Sequence, residues 1–196
     1  MSFITDMLVQ QLSGNAASQI SQKLGVDKGT ATQAIAMAAP LLMSALARNA
    51  SNPEGVKTLY QALDQDHDGN ILDDVSGFLG GNPQAANGAG ILGHVLGDKL
   101  GAVQNGLAQQ TGLDANASGQ LLEMLAPLVM GALGQTQKQQ GLDVSGLSDL
   151  LGNHQQAAQA SSPDMMGMLG GLLDMNKDGN VMDDVGRIAG QLFGGR

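Results

Sequence analysis

Two stretches of this chain, 87 positions apart, are written in nearly the same residues. Gly25-Val26-Asp27 returns as Gly112-Leu113-Asp114, and Ala39-Pro40-Leu41-Leu42-Met43-Ser44-Ala45-Leu46 returns as Ala126-Pro127-Leu128-Val129-Met130-Gly131-Ala132-Leu133. A duplication constrains the fold strongly, because each copy has to form the same local structure and bury a similar face. The period of that face is helical. Phe3, Met7, Leu8, Leu12, Ala16, Ile20 and Leu24 recur at three- and four-residue spacing, which predicts a helix over residues 3–24, with 91–111 as its counterpart. A second helix is expected from near Asp27 to about Asn49 and again over 114–139. Pro40 and Pro127 are expected to kink or divide these two.

A second motif is also duplicated. Asp64-Gln65-Asp66-His67-Asp68-Gly69-Asn70-Ile71-Leu72-Asp73-Asp74-Val75 reappears as Asp174-Met175-Asn176-Lys177-Asp178-Gly179-Asn180-Val181-Met182-Asp183-Asp184-Val185. Oxygen side chains at positions 1, 3 and 5, glycine at 6 for a sharp turn and an aliphatic at 8 are what Ca²⁺ requires, since it is held by six to eight oxygens. The candidate ligands are Asp64, Asp66, Asp68, Asn70 (through its carbonyl), Asp73 and Asp74 in loop 64–74. In loop 174–184 they are Asp174, Asn176, Asp178, Asn180, Asp183 and Asp184. Ile71 and Val181 are expected to tie each loop to the core or to a partner loop. The EF-hand loop closes on a bidentate Glu at position 12, where this chain has Val75 and Val185. The late ligand is therefore Asp73 or Asp74, and Asp183 or Asp184, with a shortened coordination and a lower affinity.

Charge supports the same reading. Nine of the 18 acids lie in these two loops, and the repulsion among them is what a bound cation would relieve. Loop one carries a net charge of −5 and loop two, with Asn176 and Lys177, −3, so loop one is expected to bind more tightly. Two Ca²⁺ sites are expected in all.

Because the two loops are 110 positions apart rather than 87, the second half carries an insertion at about 141–161, including a Gln/Ala-rich linker. Asn52-Pro53-Glu54 reads as the start of the helix entering loop one, with an N-cap, a proline in the first turn and an acid after it. Ser162-Pro163-Asp164 repeats the pattern before loop two. Exit helices are expected at 73–79 and 183–193. The organisation is a first helical repeat over 1–80, a Gly/Asn/Ala linker over 81–90 and a second repeat over 91–196. The fold class is all-α, a duplicated helical bundle in which each half ends in an EF-hand-like helix-loop-helix.

The core has to be aliphatic, with three Phe, one Tyr and no Trp available. A net charge of −9 with nine scattered Lys and Arg argues against nucleic acid as a partner, since phosphate binding needs clustered Lys and Arg. It also disfavours docking onto anionic lipid. The apolar runs 34–46 and 121–133 are shorter than the roughly 20 residues that span a bilayer. They suit buried core helices. No cysteine is present, so neither disulfides nor thiolate metal sites are available. The start Met1-Ser2-Phe3-Ile4 lacks a basic region followed by an apolar run, and a cytoplasmic location is the default expectation.

The duplicated Leu-Ala-Pro-Leu-Val-Met-Gly-Ala-Leu type helices, the segment Gly90-Ile91-Leu92-Gly93-His94-Val95-Leu96-Gly97 and the terminal loop with its Gly/Leu/Phe sequel resemble the bacterial domain-of-unknown-function family 937, over nearly the whole chain. The resemblance implies a compact all-α fold and brings no activity. The loops themselves are similar to those of EF-hand and dockerin proteins. That similarity carries liganding roles to Asp64, Asp66, Asp68, Asp174, Asn176 and Asp178.

Catalysis finds little footing. His67 sits at loop position 4, which points to solvent, and its counterpart is Lys177. His94 lies among Ile91, Leu92, Val95 and Leu96, and His154 in the polar linker. No Gly-x-Ser-x-Gly elbow, phosphate loop or dinucleotide fingerprint is present. Met37, Met43, Met124, Met130, Met165, Met166, Met168, Met175 and Met182 lie on or near the helices flanking the loops. They read as core filling in preference to a partner-binding groove. The expected function is a non-catalytic calcium-binding helical protein in which Ca²⁺ stabilises the fold or an interaction surface, with an unknown protein partner or a second copy of itself. The alternatives are a structural or self-associating helical protein whose loops are seldom occupied, and a membrane-active helical protein.

Overall fold

A computed structural model describes residues 8, 10–12, 14–65, 69–82 and 86–161 of the chain. Among these residues the structure is all-α, with no strand. The elements are α1 (Asn15–Leu24), α2 (Lys28–Asn49), α3 (Pro53–Gln65), a 3₁₀ turn (Asn70–Leu72), α4 (Val75–Gly80), α5 (Gly88–Leu96), a second 3₁₀ turn (Gly97–Lys99), α6 (Leu100–Thr111), α7 (Ala115–Gln140) and α8 (Val144–Ser161).

The helix ends follow from local chemistry. Asp27, Asp114 and Asp143 stand just before α2, α7 and α8, and each accepts the amide N–H three residues on, from Thr30 at 3.0 Å, Ala117 at 2.7 Å and Gly146 at 2.8 Å. Each bond satisfies one of the four N–H groups that a helix start leaves orphaned. Asn52 does the same for Gly55 ahead of Pro53, at 2.7 Å. Two residues before each aspartate stands a glycine in the left-handed region, Gly25, Gly112 and Gly141, with φ of 69°, 75° and 60°. This glycine lets the chain reverse and close the preceding helix: Val26 N–H donates to the Ser21 carbonyl and Leu142 N–H to that of Gln137. A Gly-x-Asp elbow therefore joins helices at three places, two of them the duplicated sequence and the third inside the expected insertion.

Two expected helices are broken, each by a glycine. Residues 8 and 10–12 are helical, but Gly14 (φ 75°, ψ −116°) separates them from α1, so the helix expected over 3–24 is not continuous. Its counterpart over 91–111 breaks at Gly97 (φ 51°, ψ −131°). Only glycine occupies this backbone region readily. Apolar spacing does not report such a break, since Leu8, Leu12, Ala16 and Ile20 remain buried on both sides of it. The prolines behave in the opposite way. Pro40 and Pro127 lie inside α2 and α7, and neither helix is divided.

Residues 1–157 form one compact unit. Within it α7 packs against α2, α3, α5, α6 and the first 3₁₀ turn, so elements of both sequence halves share one core. Nearly every residue of α7 from Ala117 to Gln137 is buried, with Leu121, Leu122, Leu125, Leu128, Val129, Ala132 and Leu133 fully so. Each of the buried Leu and Val side chains contributes about 1.5–3 kcal/mol, which offsets the backbone hydrogen bond lost at Pro127. A second unit comprises residues 158–196, of which only 158–161, the last turn of α8, are described.

Both α2 and α7 are long and apolar enough to cross a membrane, with mean hydropathy of 1.4 and 1.2 over 18 residues. Of those stretches 61% and 89% respectively are buried inside the chain. The apolar surface of α7 is accordingly taken up by core packing, as expected of a helix that is hydrophobic all round.

The segment expected to be a Gln/Ala-rich linker is helical in α8, and His154 is 6% exposed. Leu147, Leu151 and His154 are spaced four and three apart and share the buried stripe of that helix. Of the methionines, Met43, Met124 and Met130 are buried and Met37 is half-buried. Met165, Met166, Met168, Met175 and Met182 lie outside the described residues.

Candidate metal centre

Loop one is framed by α3 and α4. Asp64 stands in the last turn of α3, exposed, one helical turn beyond the half-buried Tyr60. Asp66, His67 and Asp68 lie outside the described residues. Gly69 follows with φ 96° and ψ −11°, the left-handed turn that position 6 of such a loop needs. Asn70 opens the 3₁₀ turn, whose bonds run from Leu72 N–H to the Gly69 carbonyl and from Asp73 N–H to that of Asn70, at 2.9 and 3.1 Å.

The two candidates for the late ligand differ in what they already do. Asp74 is the N-cap of α4, and its Oδ1 accepts the Gly77 N–H at 2.7 Å. The Asp73 carboxylate is exposed.

The loop rests on α7. Ile71 is half-buried against Gly131, Leu72 is buried, and Gly69 lies against Gln135. From the N-terminal segment, Gln11 Nε2 donates to the Leu72 carbonyl at 2.7 Å. The aliphatic at loop position 8 thus joins the loop to the core through a helix of the other half of the sequence.

Among the described residues no three of His, Asp or Glu converge as a metal site. All six loop-two candidates, Asp174, Asn176, Asp178, Asn180, Asp183 and Asp184, lie outside the described residues.

Two further features stand away from the loop. His154 is buried with neither ring nitrogen hydrogen-bonded to a described residue, and burial holds its pKa below the ordinary imidazole value. Sequence reasoning missed it, although its spacing from Leu147 and Leu151 was the available signal. A cleft of ≈ 530 Å³ opens beside Lys23, Asn82, Asn87, Gln120 and Glu123. Its described walls are amides, glycines, Ala89 and Met124 with one cation and one carboxylate, and among these residues there is no nucleophile–base pair. At its edge Gly88 lies directly against the Glu123 carbonyl, where a Cβ would overlap the oxygen. That carbonyl is the one Pro127, four residues on, cannot bond.

The fold and the loop define an all-α protein with an acidic, glycine-pivoted turn held on a central proline-containing helix. Residues 6–136 match the family of bacterial proteins of unknown function termed DUF937, and the chain belongs to that family. The match spans about two thirds of the chain and stops before α8 and loop two, short of the nearly full coverage expected from the motifs. No curated protein and no solved structure matches the chain.

Proposed function

We propose that this chain is a non-catalytic, calcium-binding helical protein built from two homologous halves. Each half ends in an EF-hand-like helix-loop-helix, and Ca²⁺ stabilises the fold or presents an interaction surface. The observation that carries the reading is the frame around loop one: a duplicated five-oxygen sequence whose position-6 glycine adopts the left-handed turn between two helices. The late ligand in this reading is Asp73, because Asp74 serves α4 as its cap. By the repeat, Asp183 takes that role in loop two.

The test is calorimetric titration of the EDTA-stripped protein. Two Ca²⁺ per chain are expected, in preference to Mg²⁺, whose smaller shell demands stricter octahedral geometry. Uptake of less than one Ca²⁺ per chain at millimolar calcium refutes the reading. A second reading, a structural or self-associating helical protein with loops seldom occupied, is favoured by the extent of the core that residues 1–157 complete around α7. Identical melting curves in EDTA and in calcium would select it. Under the first reading each occupied site adds roughly 2.7 kcal/mol at a hundredfold excess over its dissociation constant.

A further inference from the structure

Gly131 occupies an interior position of α7, where glycine is a poor helix former. The other copy of the repeat has Ser44 at the same place, so the helix itself does not demand glycine. The loop explains it. A Cβ on Gly131 would lie 2.5 Å from Ile71 Cγ2, 3.7 Å from Leu72 Cγ and 3.8 Å from Gly69 Cα.

One helical turn further on, the relation is inverted. A Cβ on Gly69, in its left-handed conformation, would lie 2.8 Å from Gln135 Cβ and 3.1 Å from Gln135 Cα. The helix lacks a side chain where the loop has one, and the loop lacks one where the helix has one. Two such contacts, four residues apart in α7 and two apart in the loop, fix both the position and the rotation of residues 69–72. The Gln11 bond to the Leu72 carbonyl holds the same turn from the N-terminal segment.

The geometry points to Gly131 as a positioning residue for cation loop one: by seating Ile71 it holds the turn, and with it Asp73, in the conformation that meets the ion. This inference rests on the calcium reading above. A loop that binds its ion only when seated loses affinity in proportion to the fraction unseated. The coupling is reciprocal, so ion binding at loop one tightens its packing on α7.

The chain provides a reporter for this site. Tyr60 is its single tyrosine, there is no tryptophan, and Tyr60 stands one turn before Asp64. Terbium, an oxygen-seeking stand-in for calcium, emits when excited through Tyr60 if it is bound at loop one.

The experiment compares full-length wild type, Gly131→Ala, Ile71→Ala and the double variant by tyrosine-sensitised terbium titration and calcium displacement, with apo melting curves alongside. Gly131→Ala is expected to weaken terbium binding about tenfold, because the added methyl overfills the seat. In the Ile71→Ala background, where the seat is already vacated, the same substitution is expected to change nothing further. A purely structural role would lower the apo melting temperature and leave the folded protein's affinity intact.

Wild-type binding with Gly131→Ala unchanged, or an equal loss in both backgrounds, overturns the inference and leaves the calcium reading standing. Calcium uptake without sensitised emission places the ion elsewhere and also overturns it. Absence of both emission and calcium uptake overturns the calcium reading itself. Should Gly131→Ala fail to fold, Ile71→Ala and the double variant carry the test. Ile71→Ala has to bind more weakly than wild type and the double variant no worse than Ile71→Ala, and either failure overturns the inference.

Discussion

Asp114→Ala removes the acceptor for the Ala117 N–H at the start of the central helix, a bond of 2.7 Å. Ala117 is only 7% exposed, so water cannot fully replace the lost partner. Loss of an aspartate cap costs about 1 kcal/mol, and an amide left unsatisfied away from water raises that toward about 2 kcal/mol. With a urea m-value of about 2 kcal/mol/M, the unfolding midpoint should fall by about 0.5–1 M at pH 7 with unchanged slope. Asp114→Asn keeps an acceptor and should recover most of the loss. Asp27→Ala deletes the same elbow cap at an exposed site, where water can take over, and should be the milder change. The Thr30 hydroxyl, at 2.6 Å, and then its amide hold the Asp27 carboxyl below its ordinary value of 3.8. Its contribution is therefore complete above that value and is lost as pH falls through the lowered one. The reasoning fails if Asp114→Ala leaves the midpoint unmoved, if Asp27→Ala is the costlier of the two, or if Asp114→Asn is as damaging as alanine.

Because burial lowers the pKa of His154, the unfolded chain takes up its proton first, and stability should decline as pH drops below 6.5 until the lowered native value is passed. His154→Leu should flatten that slope, and a slope unchanged in the variant's melting curves counts against the assignment. Gly88→Ala drives a methyl into the Glu123 carbonyl and should destabilise by about 1–3 kcal/mol. Gly93→Ala, in the same helix with nothing within 4 Å of the new methyl, should stabilise by about 0.5–1 kcal/mol. Equal effects in denaturant melts would show that α5 does not sit against α7. With net charges of −5 and −3 in the two loops, Asp64→Ala should remove the tighter calcium-binding event and Asp174→Ala the weaker one. Titration of each variant decides the order.

Features that depend on neighbours within about four residues were legible in the sequence. Asp27, Asp114 and Asn52 mark helix starts because their side chains reach the amide three positions on. The aliphatic period names an all-α core for the same local reason. Gly69 announced its turn, since few other residues adopt a positive φ. Features that depend on distant partners emerged only on folding. Pro40 and Pro127 look like helix breakers, yet α2 and α7 run through them, because packing on several sides of each helix outweighs one missing bond. His154 looked like linker until α8 placed it on the stripe of Leu147 and Leu151. Under the proposed calcium reading the preference for Asp73 over Asp74 also needed the fold: both are acids at the end of one motif, and the folded chain shows Asp74 accepting the Gly77 amide at the start of α4. The seat of loop one was likewise hidden. Gly131 is 60 positions from Ile71, and no local pattern tells a helix glycine that leaves room for a loop from one that leaves nothing.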